Sequence, residues 1–485
     1  MRTTAQKTRI EYGDFQTPFD LADRVCQKLV ELGISPDIVV EPTCGVGAFI
    51  DAAAKNFPIA QIIGVEINPT YLAVLQERLR FLPDNNRVKI RQGDFFKFDW
   101  AELLKESEGT TLILGNFPWV TNSQQGTIGG ENLPRKHNFQ HHSGWEARTG
   151  KSNFDISEWM LIQTAMWLRR RVGYIAMFCK SAVARKFLSH LHSNRINLEH
   201  SAIYGIDAKR HFNVSVDACL LVCKFAPEAQ NYDYEIFSEL DSATSQRVGH
   251  RNGLTVRDLD TFEKLNYLHG ESDFKWRSGI KHDCSEVMEL KSIGDGYLNG
   301  LGEQVNIEPA YLYPLLKGSD IANNRLNNAS RYVLVTQKYV GEPTHSIKVN
   351  APKTWEYLES HAQYLDNRKS KIYQDNPRFS IFGVGPYTFA PWKIAICGLY
   401  KSLNFRLIGE MNGKPAVFDD TVYFVSFDSK EEATRVLNLL ISVPVRDFLS
   451  ALIFWDDKRP IKTSVLNSLN IKHLAAVQQL SLFQA

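Results

Sequence analysis

Between Ile38 and Trp119 the chain alternates strand-like runs with helical stretches, and every run closes on a polar side chain. Ile38-Val39-Val40 closes on Glu41, and Ile62-Ile63-Gly64-Val65 closes on Glu66. Val88 to Gly93 closes on Asp94, and Thr111 to Leu114 leads into Gly115 and Asn116. After the first run come Pro42-Thr43-Cys44-Gly45-Val46-Gly47-Ala48-Phe49 and an Ala-rich helical stretch, Ile50 to Lys55. After the second, Ile67-Asn68-Pro69 opens another helix. Strand, Gly-rich turn and helix in succession are the layout of a nucleotide-type cofactor site in an α/β sheet.

The residues at the strand ends narrow the ligand. A phosphate binder would want only N–H groups and positive charge after the first strand. Glu41 there points instead to a ligand carrying positive charge, an ammonium or a sulfonium. Glu66 closes the second strand, where an acid accepts ribose hydroxyls. Asp94 can accept from an adenine amino group, with Phe95 against the adenine face. The plainer readings are surface carboxylates and core-packing glycines. After the fourth strand, Asn116-Phe117-Pro118-Trp119 turns the chain sharply and presents an amide, a backbone carbonyl and a large aromatic together. Both oxygens accept hydrogen bonds from an NH2 group, and the indole offers a face for stacking.

Taken together, these four strand ends resemble the class I S-adenosylmethionine-dependent methyltransferases. Asn116 to Trp119 resembles the N-P-P-Y/F/W signature of the amino-methyltransferases. Gly13-Asp14-Phe15-Gln16-Thr17-Pro18 resembles the segment that caps the cofactor's methionine end in gamma-class DNA adenine-N6 methyltransferases, where the target-recognition domain comes last. The resemblance implies an α/β fold. A Rossmann-like class I methyltransferase domain with a mixed, mostly parallel seven-stranded sheet would occupy residues 1–235, and an α+β target-recognition domain residues 236–485. It implies S-adenosylmethionine as cofactor, held by Thr17, Pro18, Glu41, Thr43, Gly45, Gly47, Glu66, Ile67, Asp94 and Phe95. It implies Asn116, Phe117, Pro118 and Trp119 as the catalytic turn. Because His211 to Asp217 resembles the family's eighth motif, Phe212 would meet the target base opposite Trp119. The implied activity is site-specific methylation of the exocyclic N6 of an adenine flipped out of double-stranded DNA.

Phe117 stands where the family most often has Pro. Related rRNA adenine dimethylases resemble an N-[IL]-P-[YF] pattern, and the chemistry needs only the backbone carbonyl. Phe lacks the fixed φ of Pro, however, so a less preorganised turn is expected. The same amine chemistry suits cytosine-N4, and RNA or a protein glutamine amide can enter such sites. A non-catalytic DNA-binding subunit is the rival of another class. Retention of Glu41, Glu66, Asp94 and Asn116 stands against it.

Residues 120–152 are polar and rich in Gly, His and Asn. His137, His141 and His142 lack the regular spacing of metal ligands, and no metal is expected. Arg135 and Lys136 are placed near DNA phosphates instead. The C-terminal half interleaves aromatic and basic residues, so Lys275, Arg277, Arg368, Lys369, Lys371, Arg378, Lys401, Lys458 and Arg459 are DNA-binding candidates. Because net charge is only +2 over 485 residues, any nucleic-acid surface must be a local patch. No PD-(D/E)xK stretch is evident, so a cognate restriction endonuclease would be a separate protein. The seven cysteines are scattered without a CxxC pair; Cys219 and Cys223 lie in an apolar run and read as core. A reducing, cytoplasmic setting fits. The N-terminus has no signal-peptide pattern and no apolar run is long enough to span a bilayer. Oligomeric state is not legible.

Overall fold

The computed structural model describes residues 16–81, 85–105, 109–119, 155–272, 274–294, 296–326, 330–473 and 476. They form two compact units, 1–255 and 256–485.

In the first unit, α1 (Phe19–Glu31) starts after Pro18 and buries Leu21, Ala22, Val25, Cys26 and Leu29 at helical spacing. Then come β1 (Ile38–Glu41), α2 (Ala48–Asn56), β2 (Gln61–Glu66), α3 (Pro69–Leu79), β3 (Val88–Gln92), α4 (Trp100–Lys105) and β4 (Thr111–Asn116). After residues 120–154, α5 (Ile156–Trp167) opens with Asp155 as its cap, the side chain accepting from Ser157 N. The chain continues through β5 (Gly173–Lys180), α6 (Ser181–Ser193), β6 (His200–Ile206), α7 (Ala208–Phe212) and β7 (Ala218–Phe225).

These strands lie in the order β3-β2-β1-β4-β5-β7-β6. The five from β3 to β5 are parallel, and β7 runs antiparallel between β5 and β6. This is the mixed, mostly parallel seven-stranded sheet expected. Both faces of β1 are buried, which is why its sequence is an unbroken apolar run. Strand order reverses between β1 and β4: β2 and β3 lie to one side, β4 and β5 to the other. Ligands of open α/β sheets bind outside the carboxyl ends of the strands at such a switch point. Glu41 ends one of the two flanking strands and Asn116 the other.

The sheet does not stop there. β8 (Tyr234–Phe237), β9 (Ser245–Arg251) and β10 (Leu254–Val256) extend it beyond β6 to ten strands. The polar stretch 226–250, which spans the domain boundary expected at residue 235, therefore contributes two strands, and the sheet runs past that residue. Its strands are only partly buried, and the edge of a sheet tolerates the polar residues that mislead a sequence reading.

The second unit holds two further sheets. One orders Arg277–Ser278, Val422–Phe427, Trp392–Cys397 and Arg406–Ile408. The other orders Gln304–Val305, Gly296–Leu298, Glu289–Ile293, Arg331–Leu334, Leu312–Leu316 and Val417–Phe418. Helices Leu259–Lys264 and Val443–Leu452 pack through stacked Phe262 and Phe448 rings, 5.7 Å apart. Among the described residues no helix is long and apolar enough to cross a membrane.

Candidate active site

The site is built from two adjacent strand ends. Glu41 is wholly buried, and its Oε2 has no hydrogen-bonding partner among the described residues. Burial first, then the like charges of Glu66 and Asp51, hold its carboxyl well above the ordinary glutamate range. The Ile50 N–H and Arg78 pull the other way without cancelling this.

The Gly-rich turn after β1 is fixed by acceptors on both sides. Glu66 takes the Gly45 N–H on Oε2 and the Asn68 N–H on Oε1, each at 2.8 Å. A carboxylate oxygen has two acceptor lone pairs, so an acid in this position can hold backbone N–H groups and also accept from a hydroxyl. Gln16 Oε1 accepts from Val46 N at 3.2 Å and lies where a Cβ on Gly45 would fall, 2.6 Å away. Sequence reasoning named Thr17 and Pro18 in this segment but passed over Gln16; its place directly before them was the available signal. Gly47, at φ 85°, caps α2, and Arg78 donates to its carbonyl at 3.2 Å while pairing with Asp51 at 3.0 Å. Ile67 is half-buried just past β2, and Pro18 starts α1 by accepting from Ala22 N.

Asn116 is held at both ends. Its Nδ2 donates to Thr17 Oγ1 at 3.3 Å, and Thr43 Oγ1 donates to its backbone oxygen at 3.5 Å. The β1 and β4 ends and the segment entering α1 thus meet at one amide. Phe117 is 1% exposed and packs edge-on against Phe95, ring centroids 5.6 Å apart. Phe95 also meets Phe96, Trp100, Trp159 and Trp167. The looseness expected from a missing Pro is therefore countered by a buried ring. Phe95, expected against the adenine face, is itself a hub of this aromatic cluster. Asp94 takes the Phe96 N–H on Oδ1 at 2.9 Å.

Trp119 is 5% exposed and its ring meets Phe212 edge-on, centroids 5.1 Å apart. The structure brings the two expected stacking residues together but places them in mutual contact, with no base-wide gap between them. Pro118 is half-buried between Phe117 and Trp119.

Of the DNA-binding candidates, Arg135 and Lys136 lie outside the described residues, as do His137, His141 and His142. Arg368 is a structural residue. It donates to the carbonyls of Leu365, His282 and Ser380 and lies 3.6 Å over the Tyr373 ring. Arg378 pairs with Asp366 at 2.9 Å, Arg459 lies 3.8 Å from Asp420, and Arg277 stacks over Tyr387 at 4.4 Å. Lys275, Lys369, Lys371, Lys401 and Lys458 are exposed. The aromatic partners Trp276, Phe379 and Phe405 are buried, so in these pairs the ring belongs to the core and only the basic side chain reaches solvent. Among the described residues no cluster of three or more His, Cys, Asp or Glu side chains is placed to hold a metal.

A reversed-order parallel sheet with an acid at the end of β1 and β2 and an Asn-aromatic-Pro-Trp turn after β4 defines a class I S-adenosylmethionine-dependent methyltransferase. The residues fit that cofactor: a buried carboxylate with an unused oxygen suits a cationic ligand, and Glu66 suits a ribose. No family model matches the chain. Comparison with individual proteins is more informative. The chain is 56% identical over 474 residues to the type II methyltransferase M.NspV of Nostoc, covering 97% of this chain and 98% of that one. It therefore belongs to the type II methyltransferases, the site-specific DNA methyltransferases of restriction-modification systems. A shorter match, 33% over 117 residues, is to the type II methyltransferase M.CvrRI of a Paramecium bursaria Chlorella virus and covers 24% of this chain and 27% of that one. Among solved structures, the type IIL restriction-modification enzyme MmeI, determined in complex with DNA, superposes with a TM-score of 0.51 at 12% identity. That match covers 93% of this chain and 64% of MmeI, a likeness of fold.

Proposed function

We propose that this chain methylates the exocyclic N6 of adenine in double-stranded DNA, with the base turned out of the helix. The observation that carries the reading is the pairing, on adjacent strand ends, of Glu41 with an amide held by Thr17 and Thr43. When bound, S-adenosylmethionine supplies an electrophilic methyl group. Glu41 would face its positive charge, Glu66 would accept from its ribose, and Asp94 and Phe95 would border its adenine. The adenine amine is a poor nucleophile, because its lone pair is delocalised into the ring. Asn116 Oδ1 and the Phe117 carbonyl accept its two N–H bonds, orient the lone pair and stabilise the charge that grows on nitrogen. Trp119 stacks on the base and offsets part of the lost duplex stacking. Entry of the base moves Trp119 and Phe212 apart.

In this reading the C-terminal unit reads the DNA site, with exposed lysines on phosphates. A separate restriction endonuclease is the cognate partner. The seven cysteines, all buried and unpaired, suit the reducing cytoplasm in which chromosomal DNA lies.

Mass spectrometry of nucleosides from DNA methylated by the purified protein tests the base: N6-methyladenine is expected, and N4-methylcytosine would replace adenine in the reading. Asn116→Ala is expected to keep cofactor affinity and lose transfer by about 10²–10³-fold. Near-normal turnover by that variant overturns the catalytic assignment.

A further inference from the structure

β5 outlasts β4 at the edge of the site. Asn116 pairs with Phe178 in the parallel ladder, and there β4 ends and the chain turns through Phe117 and Pro118. β5 continues for two more residues, so Lys180 stands beside the departing turn. Its ammonium donates to the Trp119 backbone carbonyl at 3.2 Å and to Asp155 Oδ2 at 2.6 Å. Asp155 is 7% exposed, and its other oxygen accepts from Ser157 N at 3.2 Å and Ser157 Oγ at 2.6 Å. One ammonium thus ties the last residue of the catalytic turn to the cap of α5, two positions far apart in sequence.

The charge balance is as important as the distances. Positive charge develops on the acceptor nitrogen during methyl transfer, and a bare lysine beside the turn would oppose it. Asp155 neutralises Lys180 where it lies, so the lysine holds the turn by hydrogen bonding without opposing the reaction. The Asp155 carboxylate is in turn held by the α5 N-terminus.

We infer that Lys180 is a positioning residue for methyl transfer: with Asp155 it fixes the Trp119 carbonyl and thereby the angle at which the Asn116-to-Trp119 turn meets the target amine. This rests on the assignment of that turn as catalytic. Neither residue touches the cofactor cradle of Gly45, Glu66 and Gln16, so the effect belongs to kcat and not to cofactor binding.

The test compares Lys180→Met, Lys180→Arg and Asp155→Asn in the full-length protein. Single-turnover transfer to a DNA substrate, KM for that DNA, cofactor affinity by calorimetry and thermal melting are all measured. A displacement of about 1 Å at a reacting group can cost about 100-fold, so Lys180→Met should lower kcat by roughly ten- to 100-fold. Cofactor affinity and DNA KM should stay near wild type. Lys180→Arg should recover most of the rate, because a guanidinium can donate to both oxygens. Asp155→Asn should lose rate by a smaller factor, since Asn can still cap α5, and it serves if Lys180→Met does not fold. Wild-type kcat in Lys180→Met overturns the inference. So does a loss of cofactor affinity in step with rate, or equal rates for Lys180→Arg and Lys180→Met. Asn116→Ala run in parallel separates the two readings: if it is inactive while Lys180→Met turns over normally, only the present inference fails. If Asn116→Ala is active, the catalytic assignment beneath it fails.

Discussion

A Cβ placed on Gly115 would lie 3.3 Å from Glu41 Cγ, on the neighbouring strand. Gly115 itself holds φ at 150°, a region L side chains rarely adopt. The bare backbone at the end of β4 is what lets the buried carboxylate sit beside the start of the Asn116-to-Trp119 turn.

Gly115→Ala is therefore expected to destabilise the first unit by about 1–3 kcal/mol through backbone strain, and to weaken cofactor binding by pushing on Glu41. Thermal melting with and without S-adenosylmethionine checks both. Wild-type stability and wild-type affinity together would show that the approach is slack.

Glu41 sets a pH dependence whose sign follows from its raised pKa. The folded, ligand-free protein holds a proton that the unfolded chain releases once pH exceeds the ordinary glutamate range. Stability of the free protein from this group is thus full at low pH and declines as pH rises from that range toward the raised value. A cationic ligand favours the ionised form, so cofactor affinity should rise with pH over the same window, with proton release on binding. Glu41→Gln should melt at a higher temperature than wild type near neutral pH yet bind S-adenosylmethionine more weakly. Calorimetry in buffers of different ionisation enthalpy measures the released proton.

Phe117 carries an expectation that separates ring from backbone. Phe117→Ala should cost about 3–5 kcal/mol by emptying a site against Phe95. Phe117→Pro restores the fixed φ of the family signature but removes the same ring, so it too should melt below wild type. A Phe117→Pro variant as stable as wild type would mean that the aromatic contact contributes little.

The basic residues of the second unit should divide by their contacts. Arg368→Met leaves three backbone carbonyls without their donor and should lower the melting temperature. Lys369→Ala, Lys401→Ala and Lys458→Ala should leave stability within about 0.5 kcal/mol. Those lysines that contact phosphate should each reduce the salt slope of DNA binding by about 1. A normal melt for Arg368→Met would return it to the list of DNA contacts.

The linear sequence determined the succession of strands and helices and the polar residue closing each strand. Apolar runs of four to six residues reflect burial on both faces of a parallel sheet, and Gly and Pro mark where such runs stop. Ile38-Val39-Val40-Glu41 and Leu112 to Trp119 carry that information locally. Tertiary structure alone decided the rest. Sequence distance does not reveal that Lys180 reaches Trp119, that Phe117 and Phe95 share a core, or that Thr17 meets Asn116. Nor does it separate Arg368, bound to backbone oxygens, from exposed Lys369 beside it. Those outcomes depend on which chain segments pack together. A side chain's charge or aromatic ring is fixed by its type, whereas its partners are fixed only when the sheet brings distant strand ends side by side.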